Sequence, residues 1–451
     1  MNTRDVFKAY DIRGTYPDQL NEQLLRAIGS AFATFAAVPH IVIARDMRPS
    51  GVTLATAFAE GARAVGVAVT DLGLASTDFL YFAAGHLDMP GAMFTASHNP
   101  AQYNGIKLCL SGARPVGVDT GLSEIERLTQ HFYEVPASGP LADFDELNLL
   151  TEWVDHVRSF VDVTSLRPLR VVADTANGMG GFVAPLVFDG LGLDLEILYP
   201  ELDGTFPNHP ADPIQPENLR DLQQRVLETG ADVGLAFDGD ADRVFLINEK
   251  AEPVSGSTTT AMVAAAMLRR HPGATILHNL ICSKAVPEVI AEGGGTAVRT
   301  RVGHSYIKQL MAETGAVFGG EHSGHYYFRD NYRADSGIIT ALVVLELLSD
   351  SGGTLSELAA PFERYRASGE INTEVPDPSA SVNAVAALLT SRGVSVDRLD
   401  GLTATYDTWW FNLRPSNTEP LLRLNVEAST DEELARRIEE ISRLITSTKG
   451  K

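Results

Sequence analysis

Four short segments of the chain concentrate residues with chemistry to offer. In Thr95-Ala96-Ser97-His98-Asn99-Pro100 a serine follows an apolar strand on a run of turn formers. A hydroxyl so placed is exposed and aimed by a rigid sheet, although the same segment also suits an ordinary Ser/Asn turn. The Gly-x-Ser-x-Gly elbow of serine hydrolases is missing. In Asp238-Gly239-Asp240-Ala241-Asp242-Arg243 three carboxylates at alternate positions can converge their oxygens on a hard cation. The rival is a Ca²⁺ EF-hand loop, with Asp at positions one, three and five and Glu249 at position twelve. Against it, Arg243 stands where the EF-hand needs glycine, and the flanks Val233 to Phe237 and Val244 to Ile247 read as strands.

Gly319-Gly320-Glu321-His322-Ser323-Gly324-His325 mixes acceptors and donors on a Gly-bounded turn, which suits sugar hydroxyls. Arg414-Pro415-Ser416-Asn417-Thr418-Glu419-Pro420 joins an arginine fork to two hydroxyls and free backbone N–H groups, the makings of a phosphate cradle or of a plain hairpin loop. Arg13, Lys107 and His304 are isolated basic residues that fit phosphate contact or proton transfer. Gly178-Met179-Gly180-Gly181 follows a strand but lacks the Gly-x-Gly-x-x-Gly spacing of dinucleotide sites, so close strand–helix packing is its expected use.

The elements that must carry these residues alternate. Leu24, Leu25, Ile28, Phe32 and Phe35 lie at helical spacing, as do Leu54, Phe58, Ala62 and Val65. His40 to Ala44, Val67 to Leu72 and Ala92 to Thr95 read as short strands. Such alternation implies helices on both faces of a sheet, with ligand loops at the carboxyl ends of strands. Ala96 to Asn104 is such a loop. A boundary is expected between Ala137 and Leu150. A second α/β unit starts at Arg170 to Ala173, and a third runs from Gly256 to Ala360. A break near Ser368 to Pro378 leads to a small tail. That tail has strands at Ala404 to Tyr406, Trp409 to Leu413 and Leu421 to Val426, and one closing helix from Asp431 to Leu444.

Length and composition set outer limits. The 451 residues suggest three or four domains, and 44% hydrophobic with 21% charged residues is ordinary for a globular chain. A formal net charge of -22 argues against nucleic acid or an anionic membrane as partner, yet leaves room for one positive cleft. Cys109 and Cys282 sit in apolar stretches and read as buried thiols. Met1 to Arg13 does not resemble a signal peptide, and the apolar run Gly337 to Leu348 is too short to span a membrane and reads as a core helix. A cytoplasmic protein is expected.

The four segments, in this order over most of the chain, resemble the α-D-phosphohexomutase family. Gly303 to Phe328 is most similar to its bacterial phosphomannomutase branch, some members of which accept glucose phosphates. The resemblance implies an α/β architecture of three related α/β/α mixed-sheet domains, 1–148, 149–254 and 255–367. A C-terminal α+β domain of TATA-binding-protein type, 368–451, completes a central cleft. It implies that Ser97 is the phosphoserine, with His98 beside it. Asp238, Asp240 and Asp242 would ligate Mg²⁺ together with the Ser97 group, and Arg243 would be their basic neighbour. Glu321 and Ser323 would meet sugar hydroxyls, with His325 close by. Arg414, Ser416, Asn417 and Thr418 would hold the distal phosphate. Tyr10, Arg13, Lys107 and His304 match further cleft residues, with Lys107 first and His304 second as acid or base. One departure is Ile281, where some members carry Lys; Lys284 is near.

The implied reaction interconverts hexose 6-phosphate and hexose 1-phosphate, mannose first and glucose second, through phosphoserine and a hexose 1,6-bisphosphate. Phosphoglucosamine mutase, a Mg²⁺-dependent sugar-phosphate phosphatase and a non-catalytic Ca²⁺ or sugar-binding module are the alternatives. The expected partners are small sugar phosphates, with neither nucleic acid nor membrane, in a monomer or homodimer.

Overall fold

The structure is a computed structural model that describes residues 5–415 and 421–448. Its described residues build four sheets in succession along the chain.

The first sheet is mixed. In spatial order its strands are Ile12–Thr15, Tyr103–Leu110, Gly91–Phe94, His40–Arg45, Ala68–Leu74 and Phe144–Glu146, and Arg114–Pro115 flanks Tyr103–Leu110. The helix Glu22–Ala36 begins where the Asn21 side chain accepts the Leu24 N–H. Its Leu24, Leu25, Ile28 and Phe32 are fully buried, as their spacing requires. It packs with the helices Gly51–Ala64 and Leu122–Glu134 on one face of the sheet, while Thr77–His86 covers the other. The stretch expected as a boundary, 137–150, supplies the edge strand Phe144–Glu146 before the helix Leu150–Arg158 begins.

The second sheet runs Pro253–Val254, Val244–Asn248, Val233–Phe237, Arg170–Asp174, Asp194–Leu198. Val233–Phe237 and Val244–Asn248 are antiparallel partners, so Asp238 to Arg243 is the tip of a β-hairpin. The EF-hand reading fails here: the flanks are strands, and Glu249 instead accepts the Ser356 backbone N–H at 3.0 Å. The third sheet orders Thr296–Thr300, Thr275–Asn279, Phe318–Gly320 and Tyr326–Phe328. The apolar run becomes the helix Gly337–Ser351, buried from Gly337 to Leu348. Among the described residues no single helix is long and apolar enough to cross a membrane.

The fourth sheet is antiparallel, in the order Arg366–Glu374, Leu421–Ala428, Trp409–Pro415, Leu402–Thr405. The expected break near Ser368 to Pro378 falls where the fourth sheet begins, and the structure adds there an edge strand the sequence did not show, Arg366–Glu374, which is polar and mostly exposed and so lacks an apolar signature. The tail also holds a second long helix, Pro378–Ser391, capped by Asp377 at the Ala380 N–H; its Ala-rich sequence has little periodicity to read.

One apolar cluster runs from Val42 through the second and third sheets to Ala359. The fourth sheet and its helices enclose a separate core around Val385, Phe411, Leu424 and Ile441. Cys109 and Cys282 are buried free thiols.

Candidate active site

Gly91–Phe94 ends at the rim of the first sheet and hands the chain to the loop bearing Ser97. Ser97 has φ 49°, a left-handed conformation unusual for a residue other than glycine and typical of functional turns. Its N–H donates to Thr95 Oγ1 at 2.9 Å. Its hydroxyl donates to Asp238 Oδ2 at 2.7 Å and lies 3.2 Å from His98 Nδ1. The loop is clamped from behind by Arg48. Its Nη1 donates to Pro100 O and Tyr103 O, both at 2.9 Å, and its Nη2 to Ser97 O at 2.8 Å and Asn99 O at 2.6 Å. Arg13 Nη1 reaches the same loop at Asn99 Oδ1, 2.6 Å away.

The hairpin tip of the second sheet faces this loop. A Cβ added to Gly239 would lie 2.4 Å from Ser97 O, so the two backbones touch only because residue 239 is glycine. Gly178 serves the same closeness, since a Cβ there would meet Gly239 O at 2.7 Å, whereas a Cβ on Gly181 at the start of the following helix would meet Pro200 O at 2.2 Å. Asp238, Asp240 and Asp242 are all buried, with one oxygen from each within 4.8 Å of the others. Lys107, on Tyr103–Leu110, donates to Asp240 Oδ2 at 2.8 Å and to Asp242 Oδ2 at 2.5 Å. Thr77 Oγ1 donates to Asp240 Oδ2, also at 2.5 Å. Arg243 Nε donates to Asp238 Oδ2 at 2.9 Å. Asp240 Oδ1 and Asp242 Oδ1 are buried without a hydrogen-bond partner among the described residues. A hard cation fits such a donor set, because buried carboxylate oxygens without partners are costly.

Charge in this cluster is divided by position. Burial pushes the Asp238 carboxyl up to about 7, with Arg243 opposing and Asp240 adding to the rise. Burial would also raise Asp240, but Lys107 and Thr77 outweigh it and hold that carboxyl well down. Lys107 loses hydration on burial, yet Asp240 and Asp242 dominate and keep it firmly protonated. An ammonium held so firmly is suited to neutralising phosphate charge and not to proton transfer in either direction.

The third sheet contributes the turn after Phe318–Gly320. Glu321 is buried; its Oε2 accepts from Tyr327 Oη at 2.7 Å, and its Oε1 accepts from Asn279 Nδ2 and the Gly303 N–H, each at 3.2 Å. Ser323 is half-buried on the same turn. His325 Nδ1 lies 2.9 Å from Asp335 Oδ2 and 3.8 Å from Asp242 Oδ1, so the turn reaches the aspartate hairpin. A bridge between Arg243 and His325 joins the two backbones. Burial disfavours charge on His325, but Asp242 and Asp335 outweigh it and raise its pKa. Tyr10, from the first unit, donates to Val302 O at 3.2 Å, and burial pushes its phenol up to about 12.

Arg414 lies next to the end of the strand Trp409–Pro415, with Nη2 donating to Glu370 Oε2 at 2.7 Å. Its Nη1 is buried and has no hydrogen-bond partner among the described residues. Ser416, Asn417 and Thr418 lie outside the described residues, as does the side chain of His304, whose backbone opens the helix His304–Thr314. Ile281 is buried, and Lys284 is 3.8 Å from Glu288 and over the Tyr365 ring, so it does not take the place of a cleft lysine. The fourth unit meets the third through polar groups. Glu427 Oε1 accepts the Lys284 N–H at 2.9 Å and the Trp410 indole N–H at 2.7 Å, Asp400 Oδ2 accepts the Val302 N–H at 3.3 Å, and Asp397 pairs with Arg299. A cavity of about 440 Å³ separates Ser255, Ser257 and His322 from Trp410, Asn425 and Glu427.

Sequence reading missed Arg48, Thr77, Asp335 and Tyr327. Arg48 had a signal, since Asp46-Met47-Arg48-Pro49 directly follows an apolar strand, where ligand loops form. Asp335 and Tyr327 had none, for each acts through a partner brought to it by folding.

Models of phosphoglucomutase/phosphomannomutase match four stretches: alpha/beta/alpha domain I at residues 4–134, domain II at 151–251, domain III at 255–365 and the C-terminal domain at 370–444. A phosphomannomutase of Salmonella montevideo is 40% identical over 456 residues, covering 99% of this chain and 100% of that protein. A Xanthomonas campestris pv. campestris protein described as phosphohexose mutases is 40% identical over 446 residues, covering 98% of this chain and 99% of its own length. The crystal structure of a phosphoglucomutase/phosphomannomutase family protein from Burkholderia thailandensis superposes with a TM-score of 0.91 at 31% identity, covering 100% of this chain and 99% of that one.

Proposed function

The chain belongs to the phosphoglucomutase/phosphomannomutase family, and from that premise we propose that it interconverts hexose 6-phosphate and hexose 1-phosphate, with mannose the first substrate and glucose the second. The observation that carries the reading is Ser97 Oγ, 2.7 Å from Asp238 Oδ2, in one buried site with two further aspartates, Lys107 and Arg243.

Ser97 bears the phosphoryl group in the resting enzyme. The free hydroxyl of the sugar phosphate attacks phosphorus; the new O–P bond forms on the sugar and the bond to Ser97 Oγ breaks. The hydroxyl proton passes to His325, whose Nδ1 is engaged by Asp335 and whose Nε2 remains for the substrate. The product is hexose 1,6-bisphosphate. It turns over in the cleft. Ser97 Oγ, left unprotonated by the first transfer, attacks its other phosphate, and the sugar oxygen that departs takes the proton back from His325. The phosphoserine is restored with no net change in phosphate. Lys107 and Arg243 stabilise the spreading negative charge. Asp238, Asp240, Asp242 and the Ser97 group would hold Mg²⁺, which supplies charge neutralisation on the transferred group. Glu321 and Ser323 receive sugar hydroxyls, and Arg414 with Ser416, Asn417 and Thr418 receives the non-reacting phosphate.

Mannose, glucose and glucosamine phosphates assayed side by side, with inorganic phosphate measured in parallel, test the reading. Isomerised mannose phosphate without stoichiometric phosphate release is expected. Intact mass should show a species heavier by one phosphoryl group that Ser97→Ala lacks. Net phosphate release as the main reaction would make the protein a phosphatase, and glucosamine phosphate as the best substrate would move it to that branch.

A further inference from the structure

Outside the groups that meet substrate, one buried cation gives both of its terminal nitrogens to backbone carbonyls. Arg48 has no exposed side-chain surface. Its two terminal nitrogens donate to the carbonyls of Ser97, Asn99, Pro100 and Tyr103. Asp46 orients it, with Oδ1 accepting the Arg48 N–H at 2.9 Å and Oδ2 lying 3.3 Å from Nε. Phe206, from the second unit, lies under the guanidinium at 5.2 Å. A Cβ on Gly204 would lie 2.6 Å from Arg48 Cα, so that second-unit loop is pressed onto the clamp.

The carbonyls so held need an outside donor. Between Phe94 and Tyr103 the chain is in no strand, and Ser97 adopts φ 49°. Ser97 O is fixed on one side by Arg48 Nη2 and on the other by Gly239 of the aspartate hairpin. Those two contacts set the direction of the Ser97 side chain toward Asp238. We propose that Arg48 is a positioning residue for phosphoryl transfer: it locks the Ser97 loop so that Oγ stays in line with the aspartate hairpin while the phosphoryl group leaves and returns. This rests on the phosphoserine reading above. Arg48 touches neither Oγ nor the sugar-binding turn, so it acts on the transfer step and not on sugar recognition. Only a planar fork serves four carbonyls at once; a lysine brings charge without that geometry.

Arg48→Lys tests this with steady-state kinetics, intact mass and thermal melting. A misplacement of about 1 Å at the reacting atom costs on the order of 10²-fold. We expect kcat to fall by about that factor, KM for the sugar phosphate to stay within about 2-fold, and the phosphoserine to lose its phosphoryl group to water faster than in the wild type. Wild-type kcat in Arg48→Lys, or a fall in kcat matched by a rise in KM, overturns the proposal. Should Arg48→Lys fail to fold, Asp46→Asn loosens the same guanidinium with little change of shape. A lower kcat at unchanged KM supports the proposal there, and an unchanged kcat overturns it. The parent reading fails separately: wild-type protein without phosphoserine, and active Ser97→Ala, would remove the premise whatever Arg48 does.

Discussion

The junction of the first and second units and the junction of the third and fourth are built on opposite plans. At the first, Ser97, Lys107 and three aspartates meet with buried ion pairs, backbone contacts that tolerate no side chain, and a shared apolar core behind them. At the second, two cores remain separate, a few polar groups cross, and a cavity of about 440 Å³ is left between them. Reacting atoms need sub-ångström placement, which dense packing supplies. A junction with separate cores and few crossing groups leaves the two units freer to shift against each other than a densely packed one does.

The most drastic break of this contrast is at the packed junction. Removing divalent cations with a chelator should abolish turnover, leave the circular dichroism spectrum intact, and be reversed by Mg²⁺. Asp240→Asn should lower kcat by several kcal/mol of barrier, about 10²–10³-fold, because it removes one hard anionic ligand. Its melting temperature should fall little, since Lys107 keeps Asp242 as partner. Loss of fold on chelation, with Ca²⁺ the better restorer, would assign the hairpin a structural role instead.

At the open junction, Arg414→Ala removes a charge-assisted contact expected to contribute about 1.5–3 kcal/mol, roughly 10–100-fold in KM. On the cradle role proposed above, hexose 1-phosphate and hexose 6-phosphate should suffer alike. Kinetics in both directions decide it: a defect confined to one direction would mean that Arg414 serves a single orientation.

Glu427→Ala probes the same junction without touching substrate groups. It strips the acceptor from the Trp410 indole and the Lys284 N–H, at a cost of about 1–3 kcal/mol. Scanning calorimetry should show the fourth unit melting earlier, with the transition of the other three unmoved. A single transition that shifts as a whole would mean that the two cores unfold as one.

The mildest effect is that of pH on the third unit. Burial holds His278 down to about 4 and His322 to about 3, so both are neutral in the folded state. Unfolding lets them bind protons at the ordinary histidine pKa, so stability is complete above about 6.5 and falls as pH drops toward 4. Between pH 7 and 6 the loss should stay below about 1 kcal/mol per histidine. His278→Gln should flatten the acid side of a melting-temperature profile; an unaltered profile would place the acid sensitivity elsewhere.

Legibility followed the same divide. The Asp hairpin was readable because its three carboxylates and both flanking strands are consecutive in sequence. The helix Pro378–Ser391 and the strand Arg366–Glu374 were not, because one is Ala-rich and weakly patterned and the other lies exposed at a sheet edge. Lys107 was named as acid or base from its type alone. Its two aspartate partners, 133 and 135 residues away, show that it keeps its proton.

By itself the sequence determined the parts: which residues carry oxygen ligands, hydroxyls and guanidinium forks, on which short loops, and after which strands. Local patterning and side-chain chemistry are properties of neighbours along the chain, and they survive without a fold. The tertiary structure alone decided which parts share a site and in what state of charge. Burial and partners from distant segments set the pKa values of Asp238, Asp240 and His325, gave Asp335 a histidine to hold, and placed Arg48 behind Ser97. Such effects depend on distance through space and on excluded water, and a linear chain specifies neither until it is packed.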